Sequence, residues 1–267
     1  RDIRSVIAVT QGDCGGNRVL TELWEMSGIE VFPFAYPSDR DSRSLRRQME
    51  RLMDRLGTSW GEAEAVWTEL KPLRRKLRLL DELTWKTNRI DGCHNHLFLV
   101  KSSDLGGNHQ RFEEEIDAYL SQLPLPSSSP HDEVRLGYIG VPPILTGLYQ
   151  HLESLGARVV FNEVQRQFSF SLTSGFMESY LCYTYPYGTL ERVKDIRQEI
   201  RRRNIHGIIH YVQSFCFRQL EDVVFSRCLD VPILTIEGDR PGEVDMQIKN
   251  RLEAFVELLR EKIILSK

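Results

Sequence analysis

The 267-residue sequence lacks a long hydrophobic run and an excess of basic residues. Its longest apolar runs, such as residues 231–236, fall far short of the roughly 20 residues that cross a bilayer. The start of the chain carries no secretory hydrophobic region. A formal net charge of -3 is not typical of a nucleic-acid-binding surface. These absences predict a cytoplasmic protein that binds neither membranes nor nucleic acid.

The cysteines are scattered along the chain, and no two of them are close in the sequence. The five cysteines include no CxxC pair, which excludes a disulfide scaffold and a zinc finger contained in one segment. The sequence also lacks the GxGxxG and GxxxxGK[ST] signatures. Nothing therefore supports a dinucleotide or ATP site within this chain.

The first part of the sequence predicts an α/β domain with a helical insertion, residues 1–125. Residues 5–10 and 29–36 are short runs rich in β-branched and aromatic residues, and a segment with helical spacing separates them. One helix is predicted to end at Gly57, and a second, highly charged helix covers about residues 62–83. Three prolines and four serines in residues 121–131 predict an exposed connection.

The second part, residues 131–267, alternates predicted strands and helices. Strands are expected at 134–141, 157–163, 207–213 and 231–239, and helices at 142–155, 189–203, 216–229 and from about 248 onward. The last helix should carry an apolar stripe that packs on the sheet, formed by Ile248, Leu252, Phe255, Val256, Leu259 and Ile263. Strands that are apolar on both faces and alternate with helices are typical of a parallel sheet covered by helices. The fold class predicted for the chain is α/β, with two flavodoxin-like or Rossmann-like parallel-sheet domains and a cleft between them.

Cys14 and Cys216 occupy similar places in the two predicted domains. Each follows a predicted strand and precedes a helix. Ligands of open parallel sheets bind at the carboxyl ends of the strands, and a helix start favours a thiolate that acts as nucleophile, redox centre or metal ligand. Each cysteine, taken alone, could instead be a small buried apolar side chain.

The remaining cysteines give weaker signals. Cys182 precedes a helix of the second part and could reach the same cleft, or be a free thiol. Cys93 lies beside His94 and His96, a superficial metal motif without a second ligand cluster. Cys228 falls late in a helix and is predicted to belong to the core.

Four other titratable residues lie on or beside the last two strands of the second part. His206 and His210 should point to the same side of one strand, as satisfied core histidines or as side chains at the cleft. Glu237 and Asp239 lie at the carboxyl end of the last strand, where acid–base catalysis and helix capping are both open. The sequence identifies no catalytic residue.

Several segments resemble one known family, the 2-hydroxyacyl-CoA dehydratases and benzoyl-CoA reductases. The resemblance covers most of the chain, and its specific parts are the SFC-FR and EGD segments. The matching segments are VTQGDCGGN, IEVFPFAYPSDRD, RLGYIGVPP, LESLGARVVFNEV, HYVQSFCFRQLEDVVF, VPILTIEGDRPGE and RLEAFVELL.

The resemblance implies an iron–sulfur subunit of a lyase of anaerobic metabolism. Cys14 and Cys216, with Cys182 as a further candidate, become ligands of a cluster, expected to be [4Fe-4S]. A separate ATP-dependent iron–sulfur activator supplies one electron to the thioester carbonyl of an acyl-CoA substrate. The ketyl radical then expels the 2-hydroxyl or a β-positioned leaving group. The subunit is expected to form a homo- or hetero-oligomer with a related subunit.

The sequence departs from the family pattern at one ligand position. Many members carry a further cysteine shortly after the strand that matches ARVVFNE, and here Gln165 is nearest to that place. Cys182 could substitute, a neighbouring subunit could contribute a ligand, or the chain could bind a different cluster or none. The alternatives are an ATP-driven low-potential reductase subunit, of the benzoyl-CoA reductase or double-cubane type, and a non-catalytic partner or assembly subunit.

Contacts to coenzyme A are not assigned by the sequence. Arg166 and Arg218 could meet its phosphates, but they are equally compatible with surface charges or ion-pair partners.

Overall fold

The computed structural model describes residues 3–124, 133–169 and 175–265. Its contacts divide the chain into two compact units. The first contains residues 3–71 and 175–192, and the second contains residues 72–124, 133–169 and 193–265.

The described residues form eight strands and twelve α-helices. The strands are β1 Ser5–Gln11, β2 Glu30–Ala35, β3 Val134–Gly140, β4 Leu145–Thr146, β5 Ala157–Asn162, β6 Gly207–Val212, β7 Ile233–Glu237 and β8 Gly242–Glu243. The helices are α1 Gly16–Met26, α2 Ser42–Leu56, α3 Trp60–Glu69, α4 Lys71–Lys86, α5 Gly92–Lys101, α6 His109–Ser121, α7 Leu148–Ser154, α8 Glu163–Phe168, α9 Phe176–Leu181, α10 Thr189–Arg203, α11 Glu221–Cys228 and α12 Met246–Leu265. Within the same described ranges, two 3-10 helices span Leu105–Gly107 and Phe217–Leu220.

The first unit is built around a two-stranded parallel sheet, β1 and β2, connected through α1. Helix α2 begins where the Asp41 carboxylate accepts the Ser44 N–H at 2.7 Å, and it ends at Gly57 in the left-handed conformation. Its apolar stripe, including Leu45 and Met49, packs with Phe34 of β2 and with Trp67. Local caps and one shared core thus determine the fold of this unit.

The second unit contains a four-stranded sheet in which every pairing is parallel. The strand order is β5-β3-β6-β7. Taken in chain order without the two-residue β4, this is the order 2-1-3-4, which begins the flavodoxin-like arrangement. The α/β parallel-sheet fold predicted from the sequence is confirmed.

The central strands of this sheet are buried on both faces. Every residue of β3 and β6 is buried, as expected for a parallel sheet between helices. One face packs against α7 and α12, and the other packs against α10 and α11. The predicted stripe of α12 is confirmed, since Ile248, Leu252, Phe255, Val256 and Leu259 are its buried residues.

A buried ion-pair network joins α4 to α10 within the second unit. The Arg203 guanidinium donates to both oxygens of Asp81, at 2.8 and 2.6 Å, and to Glu199 at 2.5 Å. Burial opposes ionisation of Asp81, but the Arg203 charge outweighs it and the pKa of Asp81 is lowered. The network therefore holds charged groups in a site that excludes water.

Three predicted helices have different boundaries, and a proline explains one of the differences. The charged helix expected at 62–83 is two helices, α3 and α4, because Pro72 has no N–H to donate and lies in the first turn of α4. The helix expected to begin at Pro142 begins only at Leu148, since Gly147 adopts a φ of 80°. The helix expected at 216–229 consists of the 3-10 helix Phe217–Leu220 followed by α11.

The predicted boundary between domains 1–125 and 131–267 stays a prediction, because residues 125–132 lie outside the described ranges. The contacts group α4, α5 and α6 with the second unit and α9 with the first. Within the described part of the chain, no helix has the length and apolar character needed to cross a membrane.

Replacing Asp81 with alanine should destabilise the protein strongly, because the buried Arg203 charge loses its bidentate partner. We expect a loss of about 3–5 kcal/mol in the free energy of unfolding, measured by urea denaturation. The control is Glu82→Ala, which removes ion pairs with Arg78 and Lys86 at the surface and should cost about 1 kcal/mol or less. Equal losses for the two variants would contradict a special role for the buried network.

His96 should make the stability of the protein depend on pH. Its ring is buried, which lowers its pKa from 6.5 to about 4. Below pH 6.5 the unfolded chain binds a proton that the folded chain does not bind, so stability is lost as the pH falls toward 4. We expect His96→Phe to reduce the stability loss between pH 7 and pH 5 by about 2 kcal/mol, measured by urea denaturation at both pH values. Parallel pH profiles for the variant and the natural protein would contradict this.

Candidate functional site

The carboxyl edge of the four-stranded sheet contains a topological switch point. The chain moves from β3 to β5 on one side and then to β6 and β7 on the other. The loops that follow β3 and β6 therefore diverge at neighbouring strands, which is where open parallel sheets bind ligands. The loop after β6 carries Cys216.

Cys216 lies at the start of the 3-10 helix Phe217–Leu220, as its N-cap residue, and is half-buried. Its N–H donates to the Gln213 carbonyl at 3.1 Å, and its own carbonyl accepts the Gln219 N–H at 3.0 Å. Both backbone groups are therefore engaged locally, which leaves the thiol as the free chemical group of this turn.

Two carboxylates at the end of β7 hold the same loop. Asp239 accepts the Ser214 N–H at 2.7 Å and the Ser214 hydroxyl at 2.5 Å. Glu237 lies 2.8 Å from that hydroxyl and accepts the Gln219 side-chain amide at 3.2 Å. Hydrogen bonds from Ser214 lower the pKa of Asp239. Glu237 and Asp239, the carboxylate clamp, thus bind residues on both sides of Cys216.

Phe215, between Ser214 and Cys216, has an unusual backbone conformation. Its φ is 61° and its side chain is fully exposed. The left-handed region costs a residue with a side chain about 1–2 kcal/mol, and such strain persists only where the surroundings enforce it. The loop that carries Cys216 is therefore held in place by its contacts.

The end of β3 is closely packed against β6 and the start of α8. Gly140 has a φ of 100°, and a Cβ there would lie 2.3 Å from the Tyr211 carbonyl oxygen. Its N–H donates to the buried Glu163 carboxylate at 3.2 Å. Gln165 is fully buried, and neither of its side-chain polar atoms has a hydrogen-bond partner among the described atoms. A buried amide without hydrogen-bond partners is costly. The Gln165 amide is therefore a buried polar group with unused hydrogen-bonding capacity.

In the first unit, Cys14 lies between β1 and α1 and is exposed. The Asp13 carboxylate accepts the Cys14 N–H at 2.8 Å and the Asn17 side-chain amide at 3.2 Å. The Gly16 N–H points to the Cys14 sulfur at 3.4 Å. The predicted helix-start position of the thiol is confirmed, although Asp13 orders the turn and Gly15 is the N-cap residue.

A second loop of the first unit packs against the Cys14 turn. Gly12 has a φ of 95°, and a Cβ there would lie 2.7 Å from the Pro186 carbonyl oxygen. Arg40, itself at a φ of 59°, donates to the Leu181 carbonyl at 2.7 Å and pairs with Glu191 at 2.8 Å. Cys182 follows Leu181 and is exposed. The unit therefore places Cys14 and Cys182 in or beside loops that specific backbone contacts hold.

The two remaining cysteines pack against hydrophobic cores. Cys93 packs against the cluster on the α7 and α12 side of the sheet, where burial raises the pKa of its thiol. His94 pairs with Asp91 at 2.6 Å, and His96 lies against Tyr149. Cys228 packs against the cluster on the opposite side, as predicted. Among the described residues, no group of three or more His, Cys, Asp or Glu side chains could hold a metal ion.

The two predicted histidines have structural partners. His206 accepts the Arg135 N–H at 3.0 Å, and His210 lies 2.8 Å from Asp222 and against Phe225. Burial lowers the pKa of His206.

The two arginines considered for phosphate binding are ion-pair partners. Arg166 pairs with Asp195, and Arg218 pairs with Glu221 at 3.0 Å.

The sequence reasoning missed two residues that hold the thiol-bearing loops, Ser214 and Arg40. Ser214 belongs to the SFC segment, so its position two residues before Cys216 could have indicated a role in holding that loop. Arg40 had no signal, because its partners Leu181 and Glu191 lie far from it along the chain.

Gly12→Ala should destabilise the first unit, because the new Cβ meets Pro186 and φ is positive. We expect a loss of about 2 kcal/mol or more in the free energy of unfolding. Gly15→Ala is the matched control in the same turn, since its φ is -59° and a Cβ there meets no atom within 4 Å. Comparable unfolding curves for the two variants would contradict the close packing of this loop.

Comparison with known proteins agrees with the resemblance seen in the sequence. The family model described as 2-hydroxyglutaryl-CoA dehydratase, D-component, matches residues 3–259. A search of curated proteins found no match. The family match spans both units, including the Cys14 turn and the Cys216 loop. The chain therefore belongs to the 2-hydroxyglutaryl-CoA dehydratase D-component family.

Proposed function

We propose that the protein is an iron–sulfur subunit of a 2-hydroxyacyl-CoA dehydratase-like enzyme, which removes water from an acyl-CoA thioester. An ATP-dependent iron–sulfur activator and a related subunit are the proposed partners. The observation that carries the proposal is the position of Cys216, at the topological switch point of a parallel sheet in a chain of this family.

The chemistry and exposure of the cysteines fit an iron–sulfur cluster. Thiolate sulfur is its normal protein ligand. Cys14 and Cys182 are exposed, and Cys216 is half-buried at a helix start. Cys93 and Cys228 are also half-buried, but they pack against hydrophobic cores. The three thiols that do not pack against a core, Cys14, Cys182 and Cys216, are therefore the proposed ligands.

The chain's own residues would bind the cofactor and orient it. When bound, the cluster supplies one-electron chemistry to the substrate thioester, and the protein tunes and shields it. The turn at Asp13 and Gly16 holds Cys14, and the Ser214 loop holds Cys216. Gly140 allows the ends of β3 and β6 to approach closely beside that loop.

One observation favours a second candidate, a non-catalytic partner or assembly subunit. Gln165 stands where the family resemblance led us to expect a third cysteine, and its amide is buried without a partner among the described atoms. An amide cannot replace a thiolate as an electron-rich ligand. A subunit of this kind would keep the fold without its own cluster.

Iron content separates the two candidates. Protein purified without oxygen should contain roughly four irons per cluster with matching acid-labile sulfide, and a paramagnetic signal after reduction. Cys14→Ala and Cys216→Ala should lose most of the iron because each removes a thiolate ligand. Cys93→Ala and Cys228→Ala are the controls and should keep it.

A folded natural protein without iron would reject the first proposal and favour the assembly subunit. Iron that persists in Cys216→Ala would reject the ligand assignment alone.

A further inference from the structure

We propose that Asp239 and Glu237, the carboxylate clamp, are positioning residues that fix the Cys216 loop. The role of Cys216 as a ligand rests on the proposed function, but the clamp itself rests on the geometry of the loop. The clamp binds the loop at two points, at Ser214 before Cys216 and at Gln219 after it.

The contacts of the clamp are charge-assisted hydrogen bonds. Asp239 accepts both the N–H and the hydroxyl of Ser214, at 2.7 and 2.5 Å. Bonds to a charged acceptor are stronger than those between neutral groups. The Ser214 hydroxyl carries one hydrogen and lies near both carboxylates, so it donates to one of them at a time. The N–H bond to Asp239 is therefore the fixed contact.

The clamp is attached to a turn that has little freedom. The Gly238 N–H donates to the Val212 carbonyl at 3.2 Å, and the Gly238 carbonyl accepts the Tyr211 hydroxyl at 2.7 Å. A Cβ at Gly238 would lie 2.9 Å from that hydroxyl oxygen. The ends of β6 and β7 are thus joined directly, and Asp239 projects from a fixed point.

The strain at Phe215 shows that the loop needs such a restraint. A bulky residue at a φ of 61°, with a fully exposed side chain, gains nothing from core packing. The neighbouring bonds of Ser214 and the turn closed by the Cys216 N–H hold this conformation. Without Asp239 the loop should open, and the half-buried Cys216 thiol should become more accessible.

The test measures thiol alkylation in metal-free, reduced protein. N-ethylmaleimide is added at fixed pH, and peptide mass spectrometry gives the rates at Cys216 and Cys14 in the same sample. Asp239→Ala should speed alkylation of Cys216 about tenfold relative to Cys14, because loss of a charge-assisted bond raises the open fraction of the loop. Asp239→Asn keeps an oxygen acceptor for the Ser214 N–H and should restore much of the slow rate.

Asp230→Ala is the matched control, since Asp230 is an exposed aspartate near the opposite end of β7. It should leave the ratio of the two rates unchanged. Ser214→Ala keeps the N–H contact and loses only the hydroxyl, so a smaller acceleration is expected. If Asp239→Ala does not fold, the same measurement is made on Ser214→Ala and Glu237→Gln. Faster alkylation of Cys216 in these variants would support the positioning role, and an unchanged ratio of rates would overturn it.

An unchanged ratio in folded Asp239→Ala would overturn the positioning role. Iron content keeps this result separate from the proposed function. A natural protein without iron, in which Asp239→Ala still accelerates Cys216, would remove the proposed function and keep the clamp. Iron that is lost in Cys216→Ala, with no acceleration of Cys216 alkylation in Asp239→Ala, would keep the proposed function and remove the clamp.

Discussion

The buried pair of Arg203 and Asp81 is the interaction on which the second unit depends most. It joins α4, which precedes the sheet in sequence, to α10, which covers one face of it. A chain of polar contacts continues from Asp81 through Asn95 and Asn162 to Tyr149. Each member has a partner, so the network satisfies charges and amides that would otherwise be costly to bury. It places α4, α5 and the end of β5 in one arrangement, which a purely apolar contact would leave less specific.

That arrangement provides a rigid base for the carboxyl edge of the sheet. Parallel strands bring the loops after β3, β6 and β7 to one side, so residues far apart in sequence become neighbours there. A close backbone contact at Gly140 and close side-chain contacts at Gly238 leave these loops little room to move. Hydrogen bonds of the neighbouring residues offset the backbone strain of one residue, Phe215, which lies beside the Cys216 thiol. Strain of this kind is typical of functional sites.

The five cysteines differ in environment more than in sequence context. Cys93 and Cys228 pack against the two cores of the second unit, where a thiol serves as a small apolar group. The other three lie in or beside loops that backbone contacts hold, as the Asp13 turn holds Cys14. Family membership gives these thiols a chemical context, and the two kinds of environment give a physical reason to separate the proposed ligands from the core residues.

The sequence by itself determined the parallel α/β fold, the apolar stripe of α12 and the position of Cys14 and Cys216 after strands. These features are encoded by local periodicity, turn residues and strand ends, which a single chain segment displays. Only the tertiary structure decided that Glu237 and Asp239 hold the Cys216 loop, that His210 is paired with Asp222, and that Arg40 binds the segment before Cys182. Each of these depends on a contact between distant segments, and spacing along the chain carries no record of which distant partner a polar side chain will meet.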